Sequence, residues 1–161
     1  MSIAYIALGA NLGQPAQQLR AALLALGQVS GIEVLVQSPL YRTAPLGLAN
    51  QPDYCNAVCK VQTTLTPESL LEQLMALERA AGRVRGEDRW GPRLLDLDIL
   101  HVEGEQRDTA QLHLPHPGIA QRNFVLIPLA DVAPTLEIPG VGRVDELSKN
   151  IGRSGLELWA E

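Results

Sequence analysis

The sequence predicts an α+β fold in which an antiparallel sheet carries helices on one face and leaves the other to substrate loops. Three observations predict it. Short apolar runs of strand length are separated by two helical patterns. The elements follow the order strand–helix–strand–strand–helix–strand. A length of 161 residues with 46% apolar content suits one core.

Residues 3–8 form an apolar run closed by the turn GANLG, which reads as a strand. Pro15 opens a helical pattern with Leu19, Ala22, Leu23 and Leu26 on one face and Gly27 as its stop. Residues 32–36 read as a second strand, open to extension as far as Tyr41. The segment RTAPLGLANQPDY holds two prolines and a glycine and reads as a loop. Residues 54–63 alternate enough for a third strand. Thr66-Pro67-Glu68 is a helix start, with a capping hydroxyl, a proline at the first helical position and an acid in the first turn. Leu70, Leu71, Leu74, Leu77 and Glu78 follow at helical spacing, and Gly82 ends the pattern. An Arg-rich loop leads to a fourth strand over residues 94–102. Residues 111–117 read as an extended piece or short strand, residues 122–130 as a helix, and residues 144–149 as a short helix in a Gly-rich tail. The order matches the ferredoxin-like βαββαβ sandwich, two split βαβ units over one sheet. No repeat or linker divides the chain, so residues 1–161 read as a single domain.

The net charge is −5 and the isoelectric point about 5.2, which argues against a general nucleic-acid binder. Yet five of the 13 Lys and Arg residues fall between Arg79 and Arg93, and all five are Arg. Arg presents a planar fork suited to phosphate oxygens, so the loop suggests a small phosphorylated ligand. A solvated charged loop would share this composition. No run of 18 apolar residues occurs and the N-terminus lacks a basic leader segment, so the expectation is a cytoplasmic protein. Cys55 and Cys59 lie four residues apart along the third strand, roughly 13 Å, too far to bridge. They read as structural thiols.

The sharpest chemical feature is LLDLDIL. On a strand, Asp96 and Asp98 point one way while Leu95, Leu97 and Ile99 point the other. Two carboxylates about 7 Å apart suit Mg²⁺ shared with a polyphosphate, although a strand with acids facing water has the same pattern. Arg83, Arg85, Arg89 and Arg93 lie just upstream around Trp90-Gly91-Pro92, and Arg can neutralise transferring phosphoryl groups. No G-x-x-x-x-G-K-[ST] motif is present. A second constellation, YRTAPLGLANQPDYCN, offers backbone groups for a flat heterocycle, with the Asn56 amide able to donate and accept. A third, LPHPGIAQRNFVLIPL, presents His116 between prolines, then Arg122 and Phe124 at a helix start.

Taken together, RWGPRLLDLDIL, YRTAPLG, QPDYCNA and GRVR, with AYIALGANLG and RNFVLIPLADVAPTL at the two ends, resemble the 6-hydroxymethyl-7,8-dihydropterin pyrophosphokinase family of folate biosynthesis. The resemblance implies transfer of diphosphate from ATP to the pterin hydroxymethyl group, with release of AMP. It implies two Mg²⁺ held by Asp96 and Asp98, with Arg83 and Arg93 clamping phosphates as further catalytic residues. It places Thr43, Pro45, Leu46, Tyr54, Asn56, Trp90 and Phe124 around the pterin. It places Glu78, Arg85, Ile99, His116 and Arg122 against ATP. The implied partners are these small molecules, without nucleic acid or membrane, for a protein acting as a monomer. Ala44, Met75, Gln111 and Pro117 depart from residues common in relatives and bear on the detail of the two pockets. The competing reading is a ferredoxin-like nucleic-acid-binding or regulatory module. The acidic charge, the 4% aromatic content and the lack of an RNA-binding aromatic motif weigh against it.

Overall fold

The structure is a computed structural model that describes residues 1–43, 53–82 and 95–160. The elements run β1 (Ser2–Ala10), α1 (Pro15–Gln28), β2 (Ile32–Gln37), β3 (Tyr41–Thr43), β4 (Tyr54–Thr63), α2 (Pro67–Ala80), β5 (Asp96–Val102), β6 (Arg107–Asp108) and β7 (His113–Leu114). A 3₁₀ turn (Ile119–Gln121), α3 (Asn123–Val132), β8 (Glu137–Ile138), β9 (Gly142–Arg143), α4 (Val144–Ile151) and β10 (Leu156–Leu158) complete the chain. The main sheet has the order β10-β3-β4-β1-β5, with β2 also paired to β4, and every pairing is antiparallel. Two small hairpins, β6–β7 and β8–β9, stand apart.

The predicted apolar stripe of α1 is the buried one: Leu19, Ala22, Leu23 and Leu26. Gly27 does not stop this helix, which runs on to Gln28. The reversal into β2 is made instead at Gly31, whose φ of +91° excludes most side chains and where a Cβ would meet Thr64 Oγ1 at 2.8 Å. α2 starts as predicted. The Thr66 hydroxyl accepts from Ser69 N at 3.1 Å, and Gly82 follows the helix with φ +98°.

The second predicted strand stands as β2, but it does not extend to Tyr41, which begins the separate strand β3 together with Arg42 and Thr43 of the predicted loop. β2 and β3 both pair with β4, and the chain between them is pinned where Ser38 N donates to Val58 O at 2.9 Å and Ser38 Oγ accepts from Val58 N at 3.0 Å. Pro39 has no N–H to continue a ladder, which separates them. β4 spans the predicted residues.

Alternation along the strands sorts the core into two sides. Ala4, Ile6, Leu8 and Ala10 of β1 join Cys55, Ala57, Cys59 and Val61 of β4 and Leu97 and Ile99 of β5 beneath α1 and α2. Tyr5, Val58 and Leu100 face the other way, into α3 and α4. The expectation that helices keep to one face therefore holds only for α1 and α2. α3 buries Val125, Leu126, Ile127, Pro128, Leu129 and Val132, too many positions to leave one side in water, so it packs on the second face. Both cysteines are free and buried, and burial pushes their thiols up to about 11 for Cys55 and about 12 for Cys59. Among the described residues, no helix is long and apolar enough to cross a membrane.

Candidate active site

The strand register builds the site. Asp96 on β5 stands opposite Gly9 on β1, Gly9 opposite Asn56 on β4, and Asn56 opposite Tyr41 on β3. One row along, Asp98 faces Ala7 and Ala7 faces Val58. The in-between residues Leu97, Ile99, Cys55 and Ala57 are buried under α1 and α2, so Asp96, Asp98 and Asn56 project from the opposite face. Strands lie about 4.8 Å apart, which sets Asp96 and Asn56 about 10 Å from each other across β1.

Gly9 was not a candidate from sequence, where GANLG reads as a turn. A Cβ there would meet Asn56 Oδ1 at 2.9 Å. Only glycine leaves the Asn56 amide its position and the ground between it and Asp96 clear. Asn56 is 8% exposed and donates from Nδ2 to Thr43 Oγ1 at 2.6 Å. That bond sets the amide, with nitrogen toward β3 and oxygen toward Gly9. Half-buried Tyr54 stands opposite Thr43 at the same end of the sheet.

The first turn of α3 closes this side. Half-buried Phe124 packs against both Tyr41, Ile127 and Leu156 and the larger cluster around Tyr5 and Val58. The Arg122 guanidinium carbon lies 6.0 Å from the Phe124 ring. It also lies 3.0 Å from where a Gly118 Cβ would stand, so Gly118 makes room for it.

His116 is held beside β5 by its amide, which donates to Leu100 O at 2.8 Å. Its Nδ1 accepts from Gly118 N at 3.0 Å. Burial, then Arg122, pushes the imidazole below the ordinary histidine range, while Asp96 pulls the other way. The ring is thus neutral near neutral pH and carries its proton on Nε2.

Two of the residues expected against ATP are also engaged within the fold. Ile99 is 3% exposed and its side chain lies in the α1/α2 core, so only its backbone is available to a nucleotide. Glu78 is buried, and its Oε2 accepts from Leu97 N at 2.8 Å. The carboxylate satisfies an amide on the outer edge of β5 between the two aspartates, so part of its task is to hold that strand. The expectations for Pro45, Leu46, Arg83, Arg85, Trp90 and Arg93 lie outside the described residues.

Among the described residues, no group of three or more His, Cys, Asp or Glu side chains converges on one metal position. The Asp96 and Asp98 carboxylates that share this face are hard oxygen ligands. That set fits Mg²⁺, which takes one or two carboxylates and completes its shell with water and substrate phosphates.

Residues 5–134 match the model of the 7,8-dihydro-6-hydroxymethylpterin-pyrophosphokinase family. A Haemophilus influenzae 2-amino-4-hydroxy-6-hydroxymethyldihydropteridine pyrophosphokinase is 45% identical over 149 residues, covering 92% of each chain. A Methylorubrum extorquens protein of the same name is 44% identical and covers 98% of each. Among solved structures, Plasmodium falciparum wild-type HPPK-DHPS with pteroate superposes with a TM-score of 0.71 at 14% identity, over 92% of this chain and 42% of that one. The chain thus spans under half of that protein, and the likeness concerns the fold alone. Given a matched segment that contains the whole Asp96–Gly9–Asn56 row, the chain belongs to the 7,8-dihydro-6-hydroxymethylpterin-pyrophosphokinase family.

Proposed function

We propose that the Asp96–Gly9–Asn56 row divides one site into a nucleotide half on β5 and a pterin half on β3, β4 and α3. The reaction of the family is diphosphate transfer from ATP to the hydroxymethyl group of 6-hydroxymethyl-7,8-dihydropterin in folate biosynthesis. The hydroxymethyl oxygen bonds to the β-phosphorus, the bond from that phosphorus to the α,β-bridging oxygen breaks, and AMP departs with that oxygen. The hydroxyl proton is released. Such a transfer needs positioning and charge neutralisation rather than a nucleophilic side chain.

In the nucleotide half, Asp96 and Asp98 would hold two Mg²⁺, which when bound neutralise phosphate charge and acidify the substrate hydroxyl. Arg83 and Arg93 clamp the phosphates, and Arg85, Arg122 and the His116 Nε2–H contact ATP, with Glu78 and the Ile99 backbone lining the same strand. In the pterin half, the Asn56 oxygen, set by Thr43, accepts from a ring N–H. Phe124 and Tyr54 flank the ring, and Pro45, Leu46 and Trp90 complete its surroundings. The protein acts as a single cytoplasmic domain and as a monomer.

The observation that carries this reading is that both aspartates share a sheet face with Asn56, with Asp96 in register with Asn56 across a strand position that only glycine keeps clear. Incubation with ATP, Mg²⁺ and the hydroxymethyl pterin should release one AMP per pterin consumed; ADP as the nucleotide product would overturn it. Mg²⁺ titration in the presence of a non-hydrolysable ATP analogue should reach two ions per chain, and saturation at one would remove the two-ion assignment.

A further inference from the structure

The C-terminal segment, residues 152–159, ties together the two walls assigned above to the pterin. On one side, β10 pairs with β3 in the register Leu156 with Thr43, Glu157 with Arg42 and Leu158 with Tyr41. The backbone of Trp159 donates to Leu40 O at 2.9 Å, and its ring lies under the Arg42 guanidinium at 4.2 Å from the ring centre. Arg42 in turn approaches Asp53 at 3.7 Å, next to Tyr54. On the other side, Asn123 at the start of α3 donates from Nδ2 to Gly152 O at 3.3 Å and Ser154 O at 2.9 Å. Leu156 is the point where both walls meet: it stands opposite Thr43 and is buried in the cluster that includes Tyr41, Ile127 and Phe124.

β3 is only three residues long, and β10 flanks it on the edge away from β4. A strand of that length is marginal without pairing on both sides. Phe124 rests on the same Leu156 side chain. The spacing between the Thr43–Asn56 pair and the Phe124 ring therefore depends on a segment that lies beyond the family-matched residues 5–134.

We propose that residues 152–159 are a positioning strap for the pterin half of the site, with Leu156 and Asn123 as its anchors. The proposal rests on the reading of Thr43, Asn56 and Phe124 as pterin contacts. The strap touches neither β5 nor its aspartates in the strand pairing, so it acts on one substrate and not the other.

Steady-state kinetics on the full chain tests this. Leu156→Ala should raise the KM for pterin about tenfold and leave kcat and the KM for ATP within about twofold, and Leu156→Met should restore it. Asn123→Ala, which cuts the strap without opening the core, should raise the pterin KM about threefold. Leu158→Ala, at an exposed position on the same strand, should change nothing. Equal loss for both substrates in the Leu156 and Asn123 variants would overturn the proposal. If Leu156→Ala does not fold, Asn123→Ala and Trp159→Leu decide, and an unchanged pterin KM in both overturns it. Asn56→Ala and Phe124→Ala separate the two readings. If they raise the pterin KM while the strap variants do not, the strap alone fails. If they leave it unchanged, the pterin assignment fails and the strap with it.

Discussion

The two faces of the central sheet are made from the same strands and follow different rules. Toward α1 and α2, β1 presents Ala4, Ile6, Leu8 and Ala10, all buried among apolar neighbours. On the opposite face, β1 presents Tyr5, Ala7 and Gly9, and its side chains shrink to nothing toward the aspartates. The apolar face locks the register, because a slip by one residue would turn Ile6 and Leu8 out of their core. With the register held there, and by Tyr5, Val58 and Leu100 against α3 and α4 on the second face, the end of that second face near Gly9 is free to carry carboxylates, an oriented amide and a glycine. The face toward α1 and α2 is thus given to folding, and the second face shares folding with chemistry at its Gly9 end.

This division predicts that variants on the two faces fail in different ways. The largest effect on turnover belongs to the polar face. Asp98→Ala should lower kcat by at least about 10³-fold, about 4 kcal/mol, while leaving thermal stability nearly unchanged. Turnover that survived this change would remove the metal role of β5. The apolar face should give the inverse result. Leu74→Ala, at a fully buried position on α2, should cost about 2–5 kcal/mol in urea denaturation with both KM values of the folded enzyme retained. A large KM change with little loss of stability would show that the faces are not independent.

Gly9→Val probes the boundary between them. Its Cβ would meet the Asn56 oxygen, so the pterin KM should rise about tenfold or more, with a smaller change for ATP. An unchanged pterin KM would mean that the Asn56 orientation is not used.

The smallest effect is a pH slope from the far end of the polar face. His101 is 3% exposed, stacks on Tyr5 and has a buried Nδ1 without a hydrogen-bond partner among the described residues. Burial lowers its pKa from the ordinary 6.5, opposed by Glu103. The unfolded chain then binds the proton more readily than the folded one. The His101 contribution is fully present above pH 6.5 and is lost as the pH falls below it. His101→Phe, which keeps a ring against Tyr5, should flatten the acid side of the stability profile measured by urea denaturation. An equally steep acid loss in this variant would assign the slope elsewhere.

Local physics made much of this legible. The α1 stripe, the Thr66-Pro67 start of α2 and the limits of β4 are set by side chains within a few residues, and all three stand where the sequence places them. The departures involve distant partners. Gly27 reads as a stop, yet the reversal belongs to Gly31 because Thr64 and Leu65 crowd that turn from another element. β10 carries no motif, and its place beside β3 follows from Leu156 reaching the Tyr41–Ile127 cluster. Glu78 reads as a position in a helical pattern, and only the packing of α2 against β5 reveals its bond to Leu97.

The sequence alone determined that Asp96 and Asp98 share a face and that Leu97 and Ile99 take the other, since the two-residue period of a strand is a local property. It could not determine what stands opposite them. That β5 lies against β1, so that Asp96 meets Gly9 and Gly9 meets Asn56, was decided by the tertiary structure. Strand partners are chosen by which apolar faces can be buried together under α1 and α2, and that choice is made between segments far apart in the chain.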